Sequence, residues 1–65
     1  MTENERKNEL LLRPSITVQE YAEIEDLSRG SAYAAVGRGD VEHYRVGKLI
    51  KIPTAPLRRR YGMAA

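Results

Sequence analysis

The segment Ile16–Gly39, ITVQEYAEIEDLSRGSAYAAVGRG, constrains the fold more than any other stretch, because it holds the start and stop signals of two short helices. Thr17 and Glu20 have the spacing of a capping box, in which each side chain accepts from the backbone N–H of the other residue. Ile16 just before the cap and Tyr21 four residues into the helix have the spacing of a hydrophobic staple. Val18, Tyr21, Ala22 and Ile24 form the apolar stripe of this helix, and residues 25–27 read as a turn. Ser28 is placed to cap a second helix. Ala32, Ala35 and Val36, at i, i+3 and i+4, would face the core, and Gly39 suits the left-handed position after the last turn. Two short helices joined by about three residues have the order of a helix-turn-helix.

Little chain remains to complete this pair. The sequence has 65 residues and no cysteine. One small, marginally stable domain is expected, with no disulfide and no cysteine-based zinc site to reinforce it. The single histidine, His43, lacks the carboxylate cluster that a metal site needs. No nucleophile–base–orienter set is visible, which points away from an enzyme, and no cofactor is expected. No apolar run approaches a membrane span and MTENERKNE is not a signal peptide. A soluble, cytoplasmic protein with no membrane partner is expected.

Before the helix pair, residues 1–9 are charge-rich and apolar-poor, so residues 1–14 read as a flexible arm. Leu10, Leu11 and Leu12 either begin a short strand or lie over the core, and Pro14 stops any helix there. After it, HYRVGKLIKIP (residues 43–53) reads as a β-hairpin. A three-residue loop, Val46–Lys48, would pair Arg45 with Leu49 and Tyr44 with Ile50. Tyr44, Ile50 and Ile52 would then share an apolar face, while His43, Arg45, Leu49 and Lys51 share the other. A two-residue loop would mix the faces, so the odd loop is favoured. PTAPLRRRYG closes the domain at residue 62: Thr54 caps a short helix, Pro56 sits in its first turn and Gly62 ends it. Leu57 and Tyr61 would dock on the core, leaving Arg58, Arg59 and Arg60 solvated. Residues 63–65 read as a frayed tail.

Charge is unevenly spread. Residues 1–26 hold three Lys or Arg against seven Asp or Glu, a net of −4; residues 27–65 hold eight against two, a net of +6. The basic half is where a polyanion would dock.

Helix, tight turn, helix and a hairpin with a Gly-basic tip is a winged-helix order, within an α+β fold class. The segment from Ser15 to Gly62 resembles the small excisionase-like DNA-binding domains related to the MerR winged helix. The resemblance is carried by Thr17, Glu20 and Ala22, by the block Leu27–Tyr33, by Gly39 and by the tip Arg45–Lys48. RVGKLIKIPTAPLRRRYG (residues 45–62) is most similar to excisionases of actinobacterial phages. The resemblance implies that Ser28–Arg38 is a recognition helix lying in the major groove of double-stranded DNA. The hairpin around Gly47 would be the wing, reaching phosphates or the adjacent minor groove. It further implies a non-enzymatic protein that binds as neighbouring copies at attachment sites, bends the DNA and steers a tyrosine integrase toward excision in a bacterial host cell.

The expected contact residues are Ser28, Arg29, Gly30, Ser31, Tyr33, Ala34 and Arg38 on the helix, with Arg45, Gly47, Lys48 and Lys51 on the wing. Tyr33 is assigned to a phosphate because Ala32, Ala35 and Val36 already fill the core face. Arg38 is read either as a contact or as a solvated helix end favoured by the macrodipole. Family members often carry a long polar side chain where this chain has Ala34. The outward stripe Gly30, Ala34, Gly37 is smooth, which favours phosphate and shape readout over bidentate base contacts. A small winged-helix transcriptional regulator or antitoxin-like repressor is the alternative function. An adaptor presenting its basic face to an acidic protein is a third.

Overall fold

The computed structural model describes residues 2–62, so the tail at 63–65 lies outside the described residues. The elements in order are α1 (Glu3–Leu12), β1 (Ser15–Thr17), α2 (Val18–Glu25), α3 (Arg29–Arg38), β2 (Tyr44–Val46), β3 (Leu49–Pro53) and α4 (Ala55–Arg60). The strands form one antiparallel sheet in the order β1-β3-β2. This is a small α+β domain of winged-helix type. It contains the helix pair, the hairpin and the closing helix that the sequence predicts, together with α1 and β1, which it does not.

The helix pair follows its local signals. Thr17 Oγ1 accepts from the Glu20 N–H at 3.1 Å, and Glu20 Oε1 accepts from the Thr17 N–H at 2.9 Å. Val18, Tyr21, Ala22 and Ile24 are all buried, as is Ile16. Helix α2 stops at Asp26 in the left-handed region (φ 56°), a conformation that Asp tolerates better than most side chains. Ser28 caps α3 through the Ser31 N–H at 3.1 Å. Ala32, Ala35 and Val36 face inward, and Gly39 ends the helix at φ 78°. Val41, just after the helix, is a further core residue.

Residues 2–14 do not form the flexible arm expected for this segment. Thr2 and Glu5 repeat the capping box of Thr17 and Glu20, with both bonds at 3.2 Å, and α1 runs from there to Leu12. Its anchor is apolar: Leu10 and Leu11 are buried in the core. The mixed charges that read as disorder form an ion-pair layer between α1 and α2. Arg6 meets Glu23 at 3.2 Å and Lys7 meets Asp26 at 3.4 Å. Arg13 bridges Glu20 at 2.7 Å and Glu9 at 3.1 Å. Exposed pairs of this kind contribute at most about 1 kcal/mol each, so burial of the two leucines dominates. Burial opposes ionisation of Glu20, but the bond from the Thr17 backbone and the charges of Arg13 and Arg6 outweigh it. They hold its carboxyl below the usual carboxylate range. Arg13 turns to the extended conformation (ψ 153°) that a residue before proline prefers.

The hairpin register also differs from expectation. The turn has two residues, Gly47 and Lys48, with Val46 opposite Leu49, Arg45 opposite Ile50 and Tyr44 opposite Lys51. Gly47 has φ 62°, while Lys48 is not in the left-handed region. This is the pattern of a type II′ turn, whose twist matches a two-residue hairpin. The physical reason lies in β1. Ile16 pairs with Ile52, which commits Ile52 and Ile50 to the core face of the central strand β3. Strand β2 is exposed along its whole length and needs no core face, so turn chemistry sets its register. The one-residue shift moves Tyr44 to the outer face, 46 % exposed. Arg45 moves to the face of Ile50 and Ile52.

Three expectations for the C-terminal segment are corrected. Thr54 does not cap α4: it is helical in φ and ψ and makes no capping bond. Its hydroxyl is fully buried against the carbonyls of Arg13 and Pro14. Arg58 is not solvated, because its Nη1 donates to Thr54 Oγ1 at 2.6 Å and to the Leu11 carbonyl at 2.8 Å. That carbonyl belongs to the last turn of α1, where intrahelical donors run out. Leu57 is buried as expected, but Tyr61 lies outside the core, and Arg59 and Arg60 are exposed. Among the described residues no helix is long and apolar enough to cross a membrane.

Candidate nucleic-acid interface

Packing Ala32, Ala35 and Val36 inward leaves Arg29, Gly30, Tyr33, Ala34, Gly37 and Arg38 on the exposed side of α3. A Cβ built at Gly30 or Gly37 would meet nothing within 4 Å, so internal packing does not require either glycine. Glycine inside a helix costs roughly 0.5–1 kcal/mol relative to alanine. The smooth face is therefore a liability to the free domain. Arg29 lies over the Tyr33 ring, 5.7 Å from its centroid, which holds two of the expected contact side chains against each other.

Ser28 and Ser31 are less available than their position suggests. The Ser28 hydroxyl accepts from the Ser31 N–H and donates to the Ser31 hydroxyl at 3.0 Å. Arg38 pairs with Asp40 at 2.9 Å, with both side chains exposed. Such a pair exchanges readily for a phosphate, since it contributes about 0–1 kcal/mol.

Two grooves separate α3 from the hairpin, and Tyr33 and Ile50 border both. One is walled by Arg38, Gly39, His43 and Arg45. His43 Nδ1 donates to the Val41 carbonyl at 3.2 Å, which fixes its ring at the groove edge. The other is walled by Thr17, Gln19, Lys48, Leu49 and Lys51. The wing therefore does not have a single basic face, as expected from the odd loop. Arg45 lies on the side of the first groove and Lys51 on the opposite sheet face, with Lys48 at the turn between them.

Among the described residues, Arg45, Lys48, Lys51, Arg59 and Arg60 have no ion pair and no side-chain hydrogen bond. By contrast Glu9, Glu20, Glu23 and Asp26 are all paired with α1 cations or Arg13. The cations of residues 1–26 are thus engaged with carboxylates of the same segment, which keeps its net charge of −4, while the positive charge of Arg45, Lys48 and Lys51 on the hairpin and of Arg59 and Arg60 on α4 has no such partner among the described residues. Gln19, in the first turn of α2, is exposed and lines the second groove beside Lys48 and Lys51, although it is not among the expected contact residues. No family model, curated protein or solved structure matches the chain.

Proposed function

We propose that the protein binds double-stranded DNA through α3 and the β2–β3 wing. We further propose that it acts as an excisionase-type recombination directionality factor, arraying on attachment-site DNA and biasing a tyrosine integrase toward excision. The observation that carries DNA binding is the pair of grooves flanking a side-chain-poor helix face, bordered by Arg38, Arg45, Lys48 and Lys51. A helix with small outward residues lets its backbone approach a groove floor. Cations on either side meet the phosphates that flank it, and Ala34 offers a methyl to a thymine methyl. The recombination role is supported by the resemblance of residues 15–62 to excisionases.

Anisotropy of a labelled duplex over a salt series tests the first part. With four or five phosphates neutralised, log Kd should change with log salt at a slope of about 4 in magnitude. A slope of zero would overturn DNA binding and leave an acidic protein partner. The second part is tested by reconstituting integrase, attachment-site DNA and this protein. Excision should rise and integration fall, with several copies protecting the site together. Binding without any change in recombination would identify a transcriptional regulator instead.

A further inference from the structure

The outer face of the hairpin carries side chains that phosphate contact does not use. Val46 and Leu49 face each other across the turn and are 55 % and 63 % exposed. Side chains on directly opposite residues of an antiparallel pair stand side by side on one face, and Tyr44 continues the row. Strand β2 is exposed throughout, so Val46 and Tyr44 contribute almost nothing to the core. The segment Tyr44–Pro53 contains no Asp or Glu. Its cations Lys48, at the turn, and Lys51, on the same outer face, have no ion pair.

An apolar pair flanked by two unpaired cations on an exposed ribbon is complementary to a duplex groove, where phosphates form the rims and stacked bases the floor. Three side chains on a two-stranded ribbon are a poor match for a stable protein interface, which takes roughly 800 Å² from each partner. Aliphatic wedges inserted between base pairs are a recognised means of opening a step and kinking the helix. Resting on the DNA-binding reading above, we propose that Leu49, backed by Val46, is an apolar wedge that enters the minor groove beside the α3 site and unstacks one base step. Lys48 and Lys51 hold the phosphates on either side of the opening. The step opened is of the pyrimidine–purine type, which unstacks most easily. The wedge converts binding energy into a bend at a defined place.

The experiment uses the full chain and duplexes that the wild-type protein selects from a random pool. Each carries 2-aminopurine at a pyrimidine–purine step and dyes at its ends. Wild type should raise 2-aminopurine fluorescence at one step and shorten the end-to-end distance. Leu49→Ala should lose both signals, with Val46→Ala intermediate, while thermal melting stays at the wild-type value because both side chains are largely solvated. The affinity lost by Leu49→Ala should be restored on a duplex whose step is already open at a mismatch. If wild type binds but neither signal changes, or if Leu49→Ala bends DNA like wild type, the wedge is wrong and DNA binding stands. If wild type selects no duplex, the DNA reading itself fails and the wedge with it. If Leu49→Ala alters only sedimentation of the free protein, the face belongs to a second copy and the wedge is overturned.

Discussion

Arg45 stands directly across the β2–β3 ladder from Ile50. Ile50 shares its sheet face with Ile52 and Ile16, so Arg45 borders the groove beside α3 with Arg38 and His43, whereas Lys51, opposite Tyr44, lies on the other face. Cations therefore lie on both faces of the wing.

Arg45→Ala, Lys48→Ala and Lys51→Ala should each weaken binding to specific and scrambled duplexes alike. Each should reduce the magnitude of the salt slope by about one unit. Arg29→Ala, at the start of α3, should instead reduce the preference for the true site by about 1–3 kcal/mol, the worth of a base contact. Measuring the four variants on both duplexes at two salt concentrations checks this. Loss of specificity in the wing variants alone would reverse the assignment of element to groove.

Gly30→Ala should act in opposite directions on folding and binding. The site is open, so the free domain should gain roughly 0.5–1 kcal/mol. If α3 enters a DNA groove as proposed, affinity should fall, because the added methyl would stand between the α3 backbone and the groove. A variant with a raised melting temperature and unchanged Kd would take this part of α3 out of the interface.

Ile52→Ala removes a fully buried side chain at the centre of the sheet and should cost about 2–4 kcal/mol. Tyr44→Ala, on the outer face, should stay within about 0.5 kcal/mol of wild type. Urea denaturation of the two variants separates the observed register from one that buries Tyr44.

Leu10→Ala should cost about 2–4 kcal/mol, a large share of the stability of so small a domain. Removal of residues 1–12 should abolish the cooperative thermal transition. A truncated chain that melts like the full one would restore the flexible-arm description of this segment.

Among the three consecutive arginines of α4, only one is structural. Arg58→Ala leaves the buried Thr54 hydroxyl and the Leu11 carbonyl short of a donor and should cost about 1–3 kcal/mol. Arg59→Ala and Arg60→Ala should change stability by less than about 0.5 kcal/mol. Chemical denaturation at neutral pH checks the contrast.

The helix pair was legible because its causes are local. The capping box at Thr17 and Glu20, the Ser28 cap, the stripe Ala32–Ala35–Val36 and the glycine stop at Gly39 each act over four residues or fewer, and each stands in the structure. The same holds for the outward position of Arg29, Gly30, Tyr33 and Ala34, which follows from that stripe. A local signal was present for α1 as well, in the Thr2–Glu5 spacing, but three consecutive leucines carry no helical period. The charges around them read as solvated until Glu23 and Asp26 are brought opposite.

Tertiary structure alone decided the rest. Whether β2 needs a core face depends on β1 occupying the far side of β3, and β1 is separated from that strand by the whole helix pair. That pairing placed Arg45 beside α3 and exposed Val46 and Leu49. Arg58 is likewise inseparable from Arg59 and Arg60 in sequence until α1 ends next to it, 47 residues away. Sequence by itself determined the elements whose hydrogen bonds close within a helical turn. It left open each side chain whose environment is made by a segment distant in the chain, because burial and partner are properties of the assembled core and not of neighbouring residues.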